Sequence, residues 1–295
     1  MDGVLRILIS FLLTLLGGVM VKLRSEAPLA GFVSRLLVSF SLPVLTWYTV
    51  AFSLPGYVAL VNVLLTGIIY MFAGFVVLYF IGLRLGWGCE RRAAFTLASV
   101  VQNTIFLPLP LALIMGRSVE YVVAYSISYN IAVALLVPLV AGKCRAAGFR
   151  ASFLKYPPLY GLFAGVVTLL LPVHHQPQFA VFVKRLAAEA TLLSFYLVGA
   201  GIAFFWPPRL SRVGALVLFW RHVVSPLVHA VLAVVLGLSG WGLGVVLLES
   251  VMPPATMNIV FARYYRLEEG LIASTIALST PIGIVEGLVL SLMVM

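Results

Sequence analysis

The sequence predicts an all-α integral membrane protein, and three observations indicate this fold class. Of the 295 residues, 63% are hydrophobic and only 9% are charged, whereas soluble domains carry about a quarter charged residues. The apolar residues form runs that are long enough for spanning helices, which need about 20 residues each. Two of these runs contain polar residues and prolines in their middle, where backbone groups released from a helix have no water to bind.

The apolar runs predict ten spans joined by short connections, which leave no room for a separate soluble domain. The first run carries no small-residue cleavage site of a secretory signal, so it is predicted to remain as the first span. The predicted spans are 3–21, 32–51, 57–82, 93–115, 119–141, 157–173, 179–205, 213–237, 241–262 and 270–294.

The distribution of Lys and Arg predicts that both termini lie outside a cell membrane. With the N-terminus outside, most of the basic residues fall in inner loops, as the positive-inside rule requires. The inner set is Lys22, Arg24, Arg35, Arg84, Arg91, Arg92, Lys143, Arg145, Arg150, Lys155, Arg209, Arg212, Arg263 and Arg266. The outer set is Arg6, Arg117, Lys184 and Arg185. Cys89 and Cys144 then face a reducing compartment, so we expect them to be free thiols.

Several function classes are disfavoured by missing patterns. The net charge of +10 is spread over short clusters, without the basic stripe and interleaved aromatic residues of a nucleic-acid-binding surface. No glycine-rich phosphate loop and no zinc motif occurs, so we expect no ATP drive, no metal and no cofactor. No Asp follows Asp2, which rules out paired catalytic aspartates. We therefore expect the protein not to be an enzyme.

Ten spans divide into two halves of five, and the odd number inverts the second half relative to the first. The predicted halves are 1–141 and 157–295, with a cytoplasmic connection at 142–156. When the chain is shifted by about 149 residues against itself, "AYSISYNI" falls on "ASTIALST". The same shift places Arg35 on Lys184. The sequence thus predicts two inverted five-helix repeats.

Each half interrupts its fourth helix with prolines. Pro108 and Pro110 occur in span four, and Pro253 and Pro254 occur in span nine. Proline removes a backbone donor and breaks a helix, and unwound backbone at membrane depth survives only beside protein or a water-filled cavity. Paired interruptions in inverted halves indicate the substrate site of a transporter. Asn103 lies about 16 Å into its span, close to the midplane. Polar residues near the breaks are Gln102, Asn103, Thr104, Thr256 and Asn258.

Ionisable residues within the spans are functional candidates because a charge is costly in the bilayer. Glu249 precedes the Pro253 pair by one helical turn, and it could carry a coupling proton or help to hold Na⁺. We expect Arg221 to extend towards the cytoplasmic surface and His229 to bond a carbonyl group. His222 and Glu286 complete this set of residues. Asn130, in the polar part of span five, is a further candidate for substrate binding because a buried amide needs several partners.

Two segments resemble the signature regions of the auxin efflux carrier family. These segments are "QNTIFLPLPLALIMG" and "MPPATMNIVFARYYRLEEGLIASTIALSTPIG". Pro43 in span two and Pro226 in span eight also agree with the family, so the resemblance covers essentially the whole chain. The resemblance implies that broken helices four and nine cross at the midplane, as in bile acid transporters and sodium/proton antiporters. It also implies a scaffold of spans one, two, six and seven, commonly dimeric, and an elevator-like transport domain of spans three to five and eight to ten.

The leading hypothesis from this resemblance is a secondary transporter of a small organic anion, driven by a proton or sodium gradient. The short central connection favours a compact permease and argues against auxin itself as the substrate. Asn103 and Asn258 match the family's two crossing segments, and we expect their amides to donate hydrogen bonds to substrate oxygens. Two alternatives remain open: a cation/proton antiporter using Glu249, and a non-transporting receptor built on the carrier fold.

Overall fold

The structure is a computed structural model, and it describes most of the chain outside the N-terminal region and the middle. The described residues are 12–13, 16–20, 27–53, 58–145, 157–171, 178–183, 185–186, 189, 193, 196, 200, 203 and 207–293. Most of predicted spans one and seven, and most of the connection at 142–156, lie outside them. Within the described residues the fold is helical, which confirms the all-α prediction.

Twelve α-helices are numbered here in chain order. They are α1 (Ala27–Leu36), α2 (Leu42–Tyr48), α3 (Val58–Arg84), α4 (Cys89–Val100), α5 (Pro108–Ile114), α6 (Glu120–Arg145), α7 (Pro157–Leu169), α8 (Arg212–Phe219), α9 (Ser225–Val235), α10 (Gly240–Ser250), α11 (Met257–Tyr265) and α12 (Glu269–Met293). Single π-helical turns at Leu37–Ser41 and Trp220–Val224 join α1 to α2 and α8 to α9, and a third, Thr49–Ser53, follows α2.

Four helical segments of the described chain are long and apolar enough to cross a membrane. They are Val58–Arg84, Glu120–Gly142, Arg212–Val235 and Glu269–Leu290. These segments coincide with predicted spans three, five, eight and ten. The membrane prediction is therefore confirmed for this part of the chain, while the count of ten spans and the inverted repeat remain predictions.

Both helix interruptions occur, although the prolines do not occupy equivalent places in them. Helix α4 ends at Val100 and α5 begins at Pro108, so Pro108 is the first residue of the second half-helix. This position suits proline because the first helical N–H has no partner within the helix. Helix α10 ends at Ser250 and α11 begins at Met257, so Pro253 and Pro254 lie within the unwound segment itself.

The largest buried core joins helices α3 to α6 and α8 to α12, and it also includes Leu45 of α2 and Val183. Helices α3 and α6 approach closely at Gly67, where an added Cβ atom would collide with the Ser128 hydroxyl group. Behind this contact the Tyr70 and Tyr125 side chains are buried in the same core. The residues around both interruptions are thus enclosed by protein, as unwound backbone at membrane depth requires.

A second group of contacts involves helices from predicted spans one, two, six and seven. Trp47 Nε1 donates a hydrogen bond to Thr168 Oγ1 at 2.9 Å, which joins α2 to α7. A Cβ atom on Gly161 of α7 would collide with the Pro43 carbonyl group of α2. Gly17 packs in the same manner against the backbone of Tyr196. Small residues therefore allow these helices to approach closely.

The structure corrects the prediction that the two cysteines are free thiols. Cys89 and Cys144 form a disulfide, with their Cα atoms 5.4 Å apart, a separation that is ordinary for such a bond. The bond joins the first residue of α4 to the last turn of α6. The sequence could not show this contact because 55 residues separate the two cysteines, and only helix packing brings them together.

Candidate functional site

The two interrupted segments cross and form hydrogen bonds through their backbones. The Asn103 N–H donates to the Pro253 carbonyl at 2.8 Å, and the Ala255 N–H donates to the Val101 carbonyl at 2.9 Å. This short antiparallel pairing satisfies backbone groups that the broken helices leave without partners. It places the polar residues of predicted spans four and nine beside each other.

A cleft opens beside this crossing, with about 440 Å³ of empty space that includes the open space at its mouth. Three parts of the chain supply its wall: the unwound segment of span four, one face of α6 and the start of α11. The lining residues are Gln102, Asn103, Thr104, Ile105, Phe106, Ser126, Tyr129, Asn130, Ala255, Thr256 and Met257. The structure thus brings together five of the six predicted substrate residues.

Four polar side chains of the cleft keep hydrogen-bonding groups that no described residue engages. The Asn103 Oδ1 atom accepts a bond from the Phe106 N–H at 2.9 Å, which leaves its Nδ2 amide group for the cleft. The Asn130 amide and the hydroxyl groups of Thr104 and Thr256 also line the cleft. A ligand with several acceptor oxygens would find these donors gathered on one surface.

Asn258 has a contact that differs from the predicted one. Its Nδ2 atom donates to the Leu97 and Val101 carbonyls at 3.3 and 2.9 Å, and the residue does not line the cleft. These carbonyls belong to the C-terminal end of α4, and they also accept the Val101 and Ala255 N–H groups, respectively. Asn258 therefore caps α4 across the crossing, and its amide hydrogens are already used.

Gln102 lines the cleft, but its side-chain amide forms hydrogen bonds with residues behind the cleft wall. Its Nε2 atom donates to the Tyr125 hydroxyl at 2.7 Å, and its Oε1 atom accepts from Arg221 at 2.9 Å. The side chain thus connects the cleft wall to buried polar groups behind it. We assign Gln102 to the support of the cleft rather than to direct ligand contact.

Arg221 does not extend to the cytoplasmic surface, and this prediction was wrong. Its side chain is fully buried and reaches the crossing. Beside its bond to Gln102, Nη1 donates to the Ser99 carbonyl at 3.2 Å, and Nη2 donates to the carbonyls of Ser250, at 3.4 Å, and Met252. We infer that hydrogen bonds to the carbonyl groups at the ends of α4 and α10 stabilise the buried guanidinium more than hydration at the distant surface would.

A buried network extends from Tyr125 towards α9. The Tyr125 hydroxyl lies 2.7 Å from His229 Nε2, and His229 Nδ1 lies 2.8 Å from the Ser225 carbonyl oxygen, which confirms the predicted carbonyl contact. The Ser225 hydroxyl donates to the Ser250 carbonyl at 2.7 Å. Sequence reasoning did not select Tyr125 or Ser225, although the polar run "YSISYN" was a signal for the first.

Glu249 is fully buried, and neither carboxylate oxygen has a hydrogen-bond partner among the described residues. It lies in the last turn of α10, next to Ser250, whose carbonyl group accepts from Arg221. Glu249 does not line the cleft. Within the described chain, no three potential metal ligands of the His, Cys, Asp and Glu types come together.

His222 and Glu286 form a separate contact between predicted spans eight and ten. His222 Nδ1 lies 2.6 Å from Glu286 Oε2, and His222 Nε2 lies 2.8 Å from the Ser279 hydroxyl oxygen. This order of groups resembles that of a hydrolase triad. Ser279, however, is fully buried in α12. The contact therefore connects two helices.

Comparison with known proteins agrees with a transport role. No protein-family model matches the chain. The chain is similar to the uncharacterized transporter MJ1031 of Methanocaldococcus jannaschii, with 28% identity over 210 residues. The match covers 65% of this chain and 65% of that protein, so it spans less than two thirds of the relative's length. Together with the membrane-length helices, this similarity supports a membrane transporter.

Proposed function

We propose that this protein is a secondary transporter that binds a small organic anion in the cleft beside the helix crossing. The observation that carries the proposal is the pairing of two unwound segments around unengaged polar groups. Unwound backbone is costly at membrane depth, and transporters tolerate this cost where they bind substrate. The resemblance to auxin efflux carriers supports the same interpretation.

The groups around the cleft favour a carboxylate. Helix α11 begins at the cleft with Met257, directly after Thr256, and the N-terminus of a helix attracts anions through its N–H groups and dipole. Asn103 and Asn130 add amide donors. No charged side chain lines the cleft, but the Arg221 guanidinium lies directly behind Gln102. A carboxylate would thus meet hydrogen-bond donors and a nearby positive charge.

Alternating access requires two parts that can move against each other. Two observed pairs of contacts support the division implied by the resemblance: span one meets span seven at Gly17, and span two meets span six at Gly161 and Trp47. The crossing belongs to the other group of helices. We propose an elevator-like movement of spans three to five and eight to ten against this scaffold in a cell membrane. We also propose that the scaffold forms the contact of a homodimer.

A cation/proton antiporter is the second candidate, and one observation favours it. Glu249 is a buried carboxyl group without a hydrogen-bond partner among the described residues, and such a group can exchange a proton for a cation. The absence of Glu249 from the cleft lining argues for anion transport as the first candidate. Binding of an anion without any flux would indicate a receptor built on the carrier fold.

Uptake into proteoliposomes tests the proposed function. A panel of radiolabelled mono- and dicarboxylates would be offered under an imposed pH or Na⁺ gradient. We expect gradient-dependent uptake of at least one anion and a loss of at least tenfold in Asn103→Ala, because the amide lies at the crossing. An amide–carboxylate bond of about 1.5–3 kcal/mol corresponds to a change of this size.

Asn62→Ala is the matched control, because it removes the same amide group at a place away from the cleft. Asn62 Nδ2 donates to the Leu236 carbonyl at 2.8 Å and does not line the cleft. We expect this variant to retain uptake. If no anion is taken up, but protons move when Na⁺ is added and the movement stops in Glu249→Gln, the antiporter is the better explanation.

A further inference from the structure

The environment of Arg221 resembles the ligand set of a metal cation. Its guanidinium group, fully buried in the protein, is bonded to four oxygen atoms from two broken helices. These oxygens belong to the carbonyl groups of Ser99, Ser250 and Met252 and to the side-chain amide of Gln102. Carbonyl, amide and carboxylate oxygens are also the ligands that hard cations prefer.

The electrostatics of the crossing favour a positive charge at this place. Helices α4 and α10 both end here, and each helix C-terminus carries a partial negative charge of about half an elementary charge. Glu249 lies in the last turn of α10, next to Ser250 in the chain, and its buried carboxyl group has no hydrogen-bond partner among the described residues. A buried cation therefore neutralises two helix ends.

We propose that the Arg221 guanidinium occupies the position of an inorganic coupling cation, so that this carrier works without sodium. A guanidinium attached to the chain stays with the crossing helices throughout the transport cycle, whereas a bound Na⁺ would be released at each turnover. Removal of the side chain would leave these four oxygens without their cation, and oxygens of this kind can bind Na⁺. As a statement about coupling, the inference rests on the proposed transport function, but the cation site can be tested without transport.

Thermal unfolding of the purified protein in detergent tests the cation site directly. Melting temperatures would be measured in sodium, potassium and N-methylglucamine chloride at equal ionic strength. We expect the wild-type protein to melt at the same temperature in all three salts. Arg221→Ala should melt several degrees lower in N-methylglucamine and recover specifically in sodium, with its melting temperature rising with sodium concentration.

Two variants serve as controls for this experiment. Arg221→Lys keeps a cation at the crossing and should remain indifferent to sodium. Arg92→Ala removes an arginine from α4 that bonds the Trp87 carbonyl and the Tyr79 hydroxyl at 3.3 Å each, far along the helix from its C-terminal end. We expect Arg92→Ala to lose stability equally in all salts.

Sodium-specific stabilisation of the wild-type protein would overturn the proposal. An Arg221→Ala protein whose melting temperature does not change with sodium would overturn it as well. If Arg221→Ala cannot be purified, wild-type uptake decides the question. Equal anion uptake with sodium replaced by N-methylglucamine on both sides agrees with the proposal, and a sodium requirement contradicts it. A lack of all uptake bears on the proposed function alone, because the melting experiment does not depend on flux.

Discussion

Amide side chains at the crossing have different roles because their hydrogen-bonding groups face different partners. Asn103 uses its oxygen to hold the Phe106 N–H and leaves its amide for the cleft, whereas Asn258 uses its amide to hold the end of α4. Gln102 is bonded on both sides to Tyr125 and Arg221. A side-chain amide at the crossing can therefore face the cleft, cap a helix or support the cleft wall, depending on which partners its oxygen and nitrogen meet.

Asn258→Ala should reduce stability more than it reduces ligand binding. The change removes the side-chain donor of the buried Leu97 and Val101 carbonyls, which keep their backbone donors, so the expected cost is about 0.5–1.5 kcal/mol. Asn130→Ala is the comparison, because its amide lines the cleft without a described protein partner. Thermal unfolding and anion binding measured on both variants check this prediction. A larger loss of stability in Asn130→Ala would contradict the capping role of Asn258.

At the scale of elements, the broken helices and the long spans follow different rules. An unbroken helix satisfies its own backbone, but each half-helix at the crossing needs partners from the other. Arg221, which belongs to span eight, donates hydrogen bonds to a carbonyl group of α4 and to a carbonyl group of α10. Span eight is in turn joined to span ten by the contact of His222 with Glu286.

The His222–Glu286 contact should couple spans eight and ten energetically. We expect His222→Ala and Glu286→Ala to be non-additive in a double-mutant cycle, with a coupling of about 0.5–1 kcal/mol. The value is modest because the Glu286 side chain is 34% exposed. The melting temperatures of the two single variants and the double variant provide the measurement. Strict additivity would show that the contact contributes no energy.

At the scale of the whole molecule, two groups of helices are packed by different means. The group around the crossing combines a large apolar core with buried polar groups. The proposed scaffold adds close backbone contacts, such as that of Gly161 with the Pro43 carbonyl, to a small apolar cluster of Val33, Leu37 and Tyr196. Glycine is needed at Gly161 because any side chain would occupy the space of the neighbouring backbone.

Gly161→Ala should destabilise the proposed scaffold without altering the cleft. The added methyl group collides with the Pro43 backbone, and overpacking of this kind costs about 1–3 kcal/mol. Gly270→Ala is the matched control, because no atom lies within 4 Å of its added Cβ position. We expect a lower melting temperature for Gly161→Ala and no loss for Gly270→Ala. Equal melting temperatures for the two variants would contradict the close contact.

The sequence by itself determined the membrane class, the long apolar helices and the existence of both interruptions. These features follow from composition and local chemistry: apolar runs predict spans, and the prolines of the two interrupted spans cannot continue a helix. The sequence also selected Asn103, Thr104, Asn130 and Thr256, because polar residues at membrane depth stand out against an apolar background.

Only the tertiary structure decided which groups meet. The disulfide between Cys89 and Cys144, the capping role of Asn258 and the burial of Arg221 all join residues that are distant in the chain. Such contacts depend on the crossing of helices, for which one-dimensional spacing gives no distance. The prediction for Arg221 failed for this reason: the attraction of two helix ends outweighed the path to the surface, and those ends meet only in the folded molecule.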